Sequence, residues 1–351
     1  MQRDVLLVGS VGLTNAEEVF RTVGSVLGGR VKHVPDGETG WARSVWTQCQ
    51  RPFFMANAAL EMVEPDPANP GTYKPARVPA GGIYGHTMSE TYRGRARLRS
   101  GASQADVRFD NLGYADWAEE SYALFARLKH EGVLPESVRF QVCIPDPAII
   151  LNMHVWPEAQ RVVGPVYTAA LIREIERLAG SVPPAELAIQ WDCTQPIAYE
   201  TADPAARRAI IDELAHLSDH VPAGVELGYH LCYGDFEHRH PVQPPSLAVC
   251  VEIANGITQA ASRPIDWVHM PVPRDRDDVA YVAPLSNLRI SSGTRLYLGL
   301  VHYTDGVAGT RRRVATAASV YPDFGIATEC GMGRRVGQDI HELLRIHAEA
   351  A

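Results

Sequence analysis

"GVELGYHLC", residues 224–232, decides the fold. From Val225 to Cys232 only Glu226 and His230 interrupt an apolar or aromatic run. A strand with one wet face alternates apolar and polar residues. A near-continuous run instead marks a strand buried on both faces, as in parallel sheets. Seven further runs of this kind punctuate the chain: "DVLLVG" (4–9), "VKHVPD" (31–36), "VRFQVCI" (138–144), "ELAIQWD" (186–192), "DWVHMPV" (266–272), "RLYLGLVH" (295–302) and "GIATEC" (325–330). Longer helical patterns lie between them. "DPAARRAIIDELAHLSDH" opens with Asp203 as N-cap and Pro204 at the first helical position. "VYTAALIREIERLAG" stops at Gly180. Eightfold alternation predicts a single (β/α)8 TIM barrel spanning residues 1–351.

One crossover is irregular. Residues of about 50–112, after the second strand, are rich in Pro, Gly and polar types and read as an insertion. Within it "YRGRARLRSGASQADVRFD" (92–110) reads as a hairpin with Arg93, Arg95, Arg97 and Arg99 on one face, suited to a solvated edge or an oligomer contact.

Composition narrows the function classes. An apolar content of 46% and a charged content of 21% describe a soluble globular protein with ample core material. A net charge of −8 disfavours nucleic acid and anionic membranes as partners. The N-terminal apolar run is too short to span a bilayer, and Asp4 interrupts its basic end. Six cysteines make no dense disulfide framework, so a reducing cytoplasm with free thiols is expected. Small-molecule partners are expected, with room left for a homo-oligomer.

In such a barrel the site lies at the C-terminal ends of the strands. Ser10, Asp36, Asp146, Asp192, His230, Cys232, His302 and Cys330 fall there. His230 and Cys232, two apart on a strand, point the same way. With Cys330 they make a three-ligand set for Zn²⁺ that leaves one position open, as in catalytic sites. Cys143, Cys193 and Cys250 read as small core residues. The loop "VPDGETGWARSVW" (34–46) offers Asp36 and Glu38 to a cationic or hydroxylated group, and Arg43 to a carboxylate or sulfonate. A turn stabilised by its own side chains explains it equally well. Trp156 suits either a pocket wall or the core.

Five motifs together carry a family resemblance: "LLVGS" (6–10), "IQWDCTQP" (189–196), "HLCYGDF" (230–236), "RLYLGLVHYTDG" (295–306) and "ECGMGRR" (329–335). The chain resembles the catalytic barrel of cobalamin-independent methionine synthase, of the superfamily that also holds uroporphyrinogen decarboxylase. It is similar too to epoxyalkane:coenzyme M transferase. The resemblance implies that Ser10 receives the polar tail of a thiol substrate, Asp192 its amine, and His230, Cys232 and Cys330 the zinc. It implies His302 as proton donor, although the synthase's histidine falls near Thr304. Two departures matter. The synthase's duplicated N-terminal half is missing. Its glutamate ligand falls at Pro271, which leaves His269 or water as the fourth ligand. The implied activity is zinc-dependent methyl or alkyl transfer to a small thiol, presented as a zinc-bound thiolate to an alkyl donor. The alternatives are a metal-free decarboxylase-like lyase, a zinc hydrolase, and a non-catalytic protein with structural zinc.

Overall fold

A computed structural model describes residues 2–40, 43, 46–77, 94–235, 240, 242–335 and 337–351. Among them are ten strands: β1 (His33–Pro35), β2 (Leu60–Pro65), β3 (Tyr73–Pro75), β4 (Arg95–Leu98), β5 (Arg139–Pro145), β6 (Leu187–Cys193), β7 (Glu226–Leu231), β8 (Trp267–Pro271), β9 (Arg295–Val301) and β10 (Gly325–Thr328). Seven form one parallel sheet in the order β1-β5-β6-β7-β8-β9-β10. Every one of these seven matches a run read from the sequence.

The eighth expected strand is not formed as a strand. Residues 4–9 touch both edges of the sheet at a single residue, Val5, which bridges in parallel to Val31 and to Ile326. The Val5 N–H donates to Arg30 O (2.8 Å) and the Leu6 N–H to Ile326 O (2.9 Å). Further on, side chains replace the ladder. Gln141 Nε2 donates to Leu7 O at 3.0 Å, and Gln190 Nε2 donates to Val8 O.

The insertion differs from its reading. β4 pairs antiparallel with β2, and β2 with β3, giving a separate sheet in the order β3-β2-β4. Among the described residues the expected 92–110 hairpin does not form, because β4 finds its partner more than thirty residues earlier. Arg93 lies outside the described residues. Arg97 Nε donates to Glu61 Oε1 across β2 and β4 (2.8 Å), and Arg95 lies over the Trp156 ring at 5.1 Å.

Helices cover the sheet much as the capping signals predict. Asp203 caps Pro204–Asp219 by accepting from the Ala206 N–H at 2.9 Å. Pro157–Ser181 begins earlier than its apolar pattern and carries Pro165 inside. No helix among the described residues is long and apolar enough to cross a membrane.

Two cores position the site. The larger packs helices against the outer face of the sheet. The smaller joins Leu6, Val8, Ala188, Trp267, Tyr297 and Ala327. Trp267 is fully buried there and stacks on His33 at 4.4 Å. A Cβ at Gly228 would overlap its indole, so this strand needs a glycine. Parallel register then sets Asp192 beside His230 and His230 beside His269. Register partners on parallel strands project to the same face, so this row converges near the strand ends.

Candidate metal centre and substrate cavity

His230 is the last residue but one of β7, Cys232 lies just past its end, and Cys330 follows β10. Their ligand atoms all lie within 4.8 Å of one another, and the two sulfurs are 3.9 Å apart. The Cys232 N–H donates to Cys193 O at 2.7 Å, which continues the ladder past β7. The Thr328 hydroxyl donates to Cys330 O at 2.7 Å and fixes the turn after β10. His230 Nε2 is buried without a hydrogen-bond partner. A buried nitrogen left bare on a ring that groups with two thiols is what a soft metal ion would satisfy, so the donor set fits zinc. The Cys232 thiol and burial push Cys330 well above its ordinary value. A bound cation would reverse that shift.

These donors open onto a cavity that is also lined by Ser10, Glu38, Trp46, Asp192, Asp235 and Arg334. Burial pushes the Asp192 carboxyl up to about 7, even though Gln190 Nε2 donates to it at 2.8 Å and the Trp46 side chain hydrogen-bonds it. Burial and the nearby Asp192 push Glu38 up to about 8. Three acidic side chains, Glu38, Asp192 and Asp235, thus share the cavity with the thiols, Asp235 paired with Arg334. Ser10 sits under the last loop: its Oγ accepts from the Gly333 N–H at 3.2 Å and its carbonyl from the Met332 N–H at 2.7 Å. A Cβ at Gly331 would meet Ser10 Oγ at 2.5 Å, and one at Gly333 would meet Ser10 Cβ at 2.6 Å. The two glycines of "CGMG" are the room that Ser10 occupies.

The 34–46 loop divides its residues between two tasks. Asp36 is buried and fully engaged. Arg43 grips it through two bonds (2.7 and 3.1 Å), and Ser121 Oγ (2.7 Å) and the Glu38 N–H (2.9 Å) donate to it. Burial would raise the Asp36 carboxyl, but the Arg43 charge and these bonds hold it below its ordinary value. Asp36 and Arg43 therefore bind each other, as in the self-stabilised turn that is one of the two readings of this loop, and both also line a neighbouring cavity with Glu38 and Trp46. The same clamp bends the chain through Gly37 (φ 82°) and Glu38 (φ 50°). A non-glycine residue held at positive φ is strained, and here the strain accompanies a side chain that lines the cavity.

Three other expectations change. His302 lines a smaller, adjoining cavity with Glu329 that shares Asp235, Cys330 and Gly331 with the first, and its Nε2 donates to Val272 O at 2.8 Å. Burial and the Arg313 charge pull it down to about 3, so it is neutral at pH 7 and does not suit a proton donor. Trp156 packs on Tyr73 (4.8 Å) and donates from Nε1 to Val63 O (3.2 Å), as part of the small sheet rather than the cavity. His269 is no spare ligand, because both of its nitrogens are hydrogen-bonded. Cys143, Cys193 and Cys250 are buried, as read.

Sequence reasoning passed over Trp46, Asp235 and Glu329. Asp235 lies three residues after Cys232 and ion-pairs with Arg334 over the cavity. Glu329 precedes Cys330 and faces His302 Nδ1 and His240 Nε2, each at 3.7 Å. Proximity to a ligand in sequence was the available signal for both. Trp46 had none, since its bond to Asp192 joins residues far apart in the chain.

No family model matches the chain, and no curated protein matches it. Solved structures do. A B12-independent methionine synthase from Shewanella sp. W3-18-1, solved in complex with selenomethionine, superposes with a TM-score of 0.56 at 13% identity, over 98% of this chain and 97% of that one. A methyltransferase from Methanosarcina mazei gives 0.53 at 11% identity, over 99% and 93%. At these identities the likeness establishes a shared fold, and that fold is the one the motifs pointed to.

Proposed function

We propose that the chain is a zinc-dependent methyl- or alkyltransferase acting on a small thiol that carries an amine. One arrangement carries the reading: two thiols and a bare, buried imidazole nitrogen open onto the cavity that Ser10, Asp192 and Glu38 line. His230, Cys232 and Cys330 would hold the metal. When bound, zinc would convert a thiol, with ordinary pKa about 8.5, into a nucleophilic thiolate at neutral pH. The remaining tasks fall to the protein. Asp192 and Glu38, both raised by burial, regain their charge when an ammonium group enters between them. Ser10 and the Gly333 N–H border the same cavity and suit a polar tail. The solved neighbours, a methionine synthase and a methyltransferase, are consistent with transfer chemistry on this fold.

In this reading residues 1–351 form one barrel domain, completed by residues 4–9, that works in the cytoplasm on a thiol and an alkyl donor. A structural zinc site would normally be closed by four protein ligands, whereas three donors beside a cavity favour an open position. A metal-free lyase leaves the bare His230 nitrogen without a purpose.

Metal analysis combined with X-ray absorption tests the proposal. About one zinc per chain is expected, and an added amino-thiol should bring a further sulfur to about 2.3 Å from the metal. A protein without metal affinity, or a metal that admits no added sulfur and hydrolyses a substrate instead, overturns it.

A further inference from the structure

We infer that His269 is the positioning residue of the metal centre. It holds His230 as the tautomer protonated at Nδ1, with bare Nε2 turned to the two thiols, and is thereby barred from ligation itself. The inference deepens the metal-centre reading above and rests on it for the ligand role alone.

The argument is a count of protons along one line. Thr328 O can only accept, and His269 Nε2 lies 3.1 Å from it. That nitrogen therefore carries the hydrogen. A neutral imidazole has only one N–H, so His269 Nδ1 is a lone pair. His230 Nδ1 lies 2.7 Å from it. Two lone pairs do not approach so closely, so His230 Nδ1 carries a hydrogen and donates it. The one N–H of a neutral His230 is then used, and Nε2 is left bare. It is also the atom without a hydrogen-bond partner, on the ring that groups with the two cysteines. Both rings are buried, which disfavours a cationic alternative.

The fold builds this line deliberately close to the metal ligands. His230 and His269 are register partners on β7 and β8, and Thr328 is the last residue of β10, two before Cys330. The orienting chain thus ends on the loop that delivers the second cysteine. Metal-bound histidines commonly donate their other N–H to such a partner. A carboxylate or carbonyl usually fills that place. A second histidine can do so only if its own far nitrogen is pinned, as the Thr328 carbonyl pins it.

The test uses the full chain as wild type, His269→Ala and His269→Gln. Long-range ¹H–¹⁵N NMR of the metal-free protein reads the His230 tautomer directly. Protonation at Nδ1 is expected in wild type, and protonation at Nε2 overturns the inference whether or not metal binds. Competition against a chromophoric chelator reads zinc affinity. His269→Ala should weaken it by roughly 10- to 100-fold, and His269→Gln, whose amide oxygen can accept from Nδ1–H, should recover most of it. Equal affinity in wild type and His269→Ala overturns the inference. So does X-ray absorption showing two imidazoles on the metal rather than one. If His269→Ala does not fold, the glutamine variant and the wild-type spectrum still decide. Wild type that binds no metal yet shows His230 protonated at Nδ1 would sink the metal reading and leave the orientation by His269 standing.

Discussion

Cys232 Sγ and Cys330 Sγ lie 3.9 Å apart although 98 residues separate them in the chain. Two strand ends, β7 and β10, bring them together from opposite sides of β8 and β9. The separation is too long for a bond and short enough for a shared ion. It also makes the metal-free protein vulnerable, because a disulfide needs the sulfurs only about 2 Å closer. Mild oxidation of metal-free protein should therefore remove two of its six free thiols and join Cys232 to Cys330 in the peptide map. Zinc should protect both. Cys330→Ser should abolish tight metal binding while the far-ultraviolet circular dichroism stays unchanged. Oxidation that spares this pair would contradict the geometry.

The acidic pair gives a pH dependence with a definite sign. Asp192 is raised to about 7 and Glu38 to about 8, both chiefly by burial. The folded protein thus holds more protons than the unfolded chain between about pH 4 and pH 8. Stability from these groups is fully present below about pH 4 and is lost as pH rises through their folded values. The thermal midpoint of the ligand-free protein should fall from pH 5 to pH 8.5, and Asp192→Asn should flatten the fall. Ammonium binding runs the other way, since only the charged carboxylates attract it. Affinity for an amino-thiol should drop below pH 7, by about tenfold per pH unit for each group that must ionise. Calorimetry in buffers of different ionisation enthalpy should record proton release on binding.

Ser10 depends on two missing side chains. Since a Cβ at Gly331 would meet its hydroxyl and one at Gly333 its Cβ, either alanine substitution must push Ser10 or the loop aside. Gly331→Ala should weaken thiol binding at least as much as Ser10→Ala, which removes roughly tenfold through one hydrogen bond. Titration calorimetry on the zinc form checks the order. A Gly331→Ala protein with undiminished affinity would show that Ser10 does not touch the ligand.

The Arg43 clamp is a stability element. Removing the guanidinium strands a buried carboxylate that Ser121 and one backbone N–H cannot neutralise. Arg43→Ala should cost about 3 kcal/mol in urea denaturation. Arg43→Lys should recover only part, because an ammonium cannot make the paired grip. Arg43→Ala should also enlarge the Glu38 contribution to the pH profile, because the Arg43 charge holds the Glu38 carboxyl down, and Arg43→Lys, which keeps the charge, should change it less.

Much of this was legible in the chain. Each of the seven strands of the main sheet is a run buried on both faces, and such runs announce themselves without tertiary knowledge. His230 and Cys232 could be paired from spacing, and Cys330 added because the barrel reading placed it at the same end. What failed did so for tertiary reasons. The strand over 4–9 was masked because the Gln141 and Gln190 side chains take its carbonyls. β4 was assigned a local partner, and the actual one, β2, lies across a gap in sequence. That Asp36 and Arg43 bind each other is one of two readings the loop allows, and only the fold selects it. His269 looked like a ligand until the Thr328 carbonyl accounted for its second nitrogen.

His302 provides the sharpest separation between what the motifs imply and what the fold allows. It is the histidine nearest the family's proton-donor position, which falls near Thr304, and a donor's removal should slow turnover by roughly 10²-fold or more. In the folded chain it is buried, pulled down to about 3 by burial and the Arg313 charge, and bound through Nε2 to Val272 O. A ring that is neutral at pH 7 and faces Glu329 at 3.7 Å through its other nitrogen has no proton to offer a substrate beside Cys232. His302→Ala should therefore change turnover by less than tenfold and leave zinc content intact. It should cost about 1–3 kcal/mol of stability, because the Val272 carbonyl loses its donor in a buried place. The pH–rate profile should keep its shape, since no titrating donor has been removed. A loss of 10²-fold with a vanished basic or acidic limb would restore His302 as the acid and would mean that the segment moves when substrate binds.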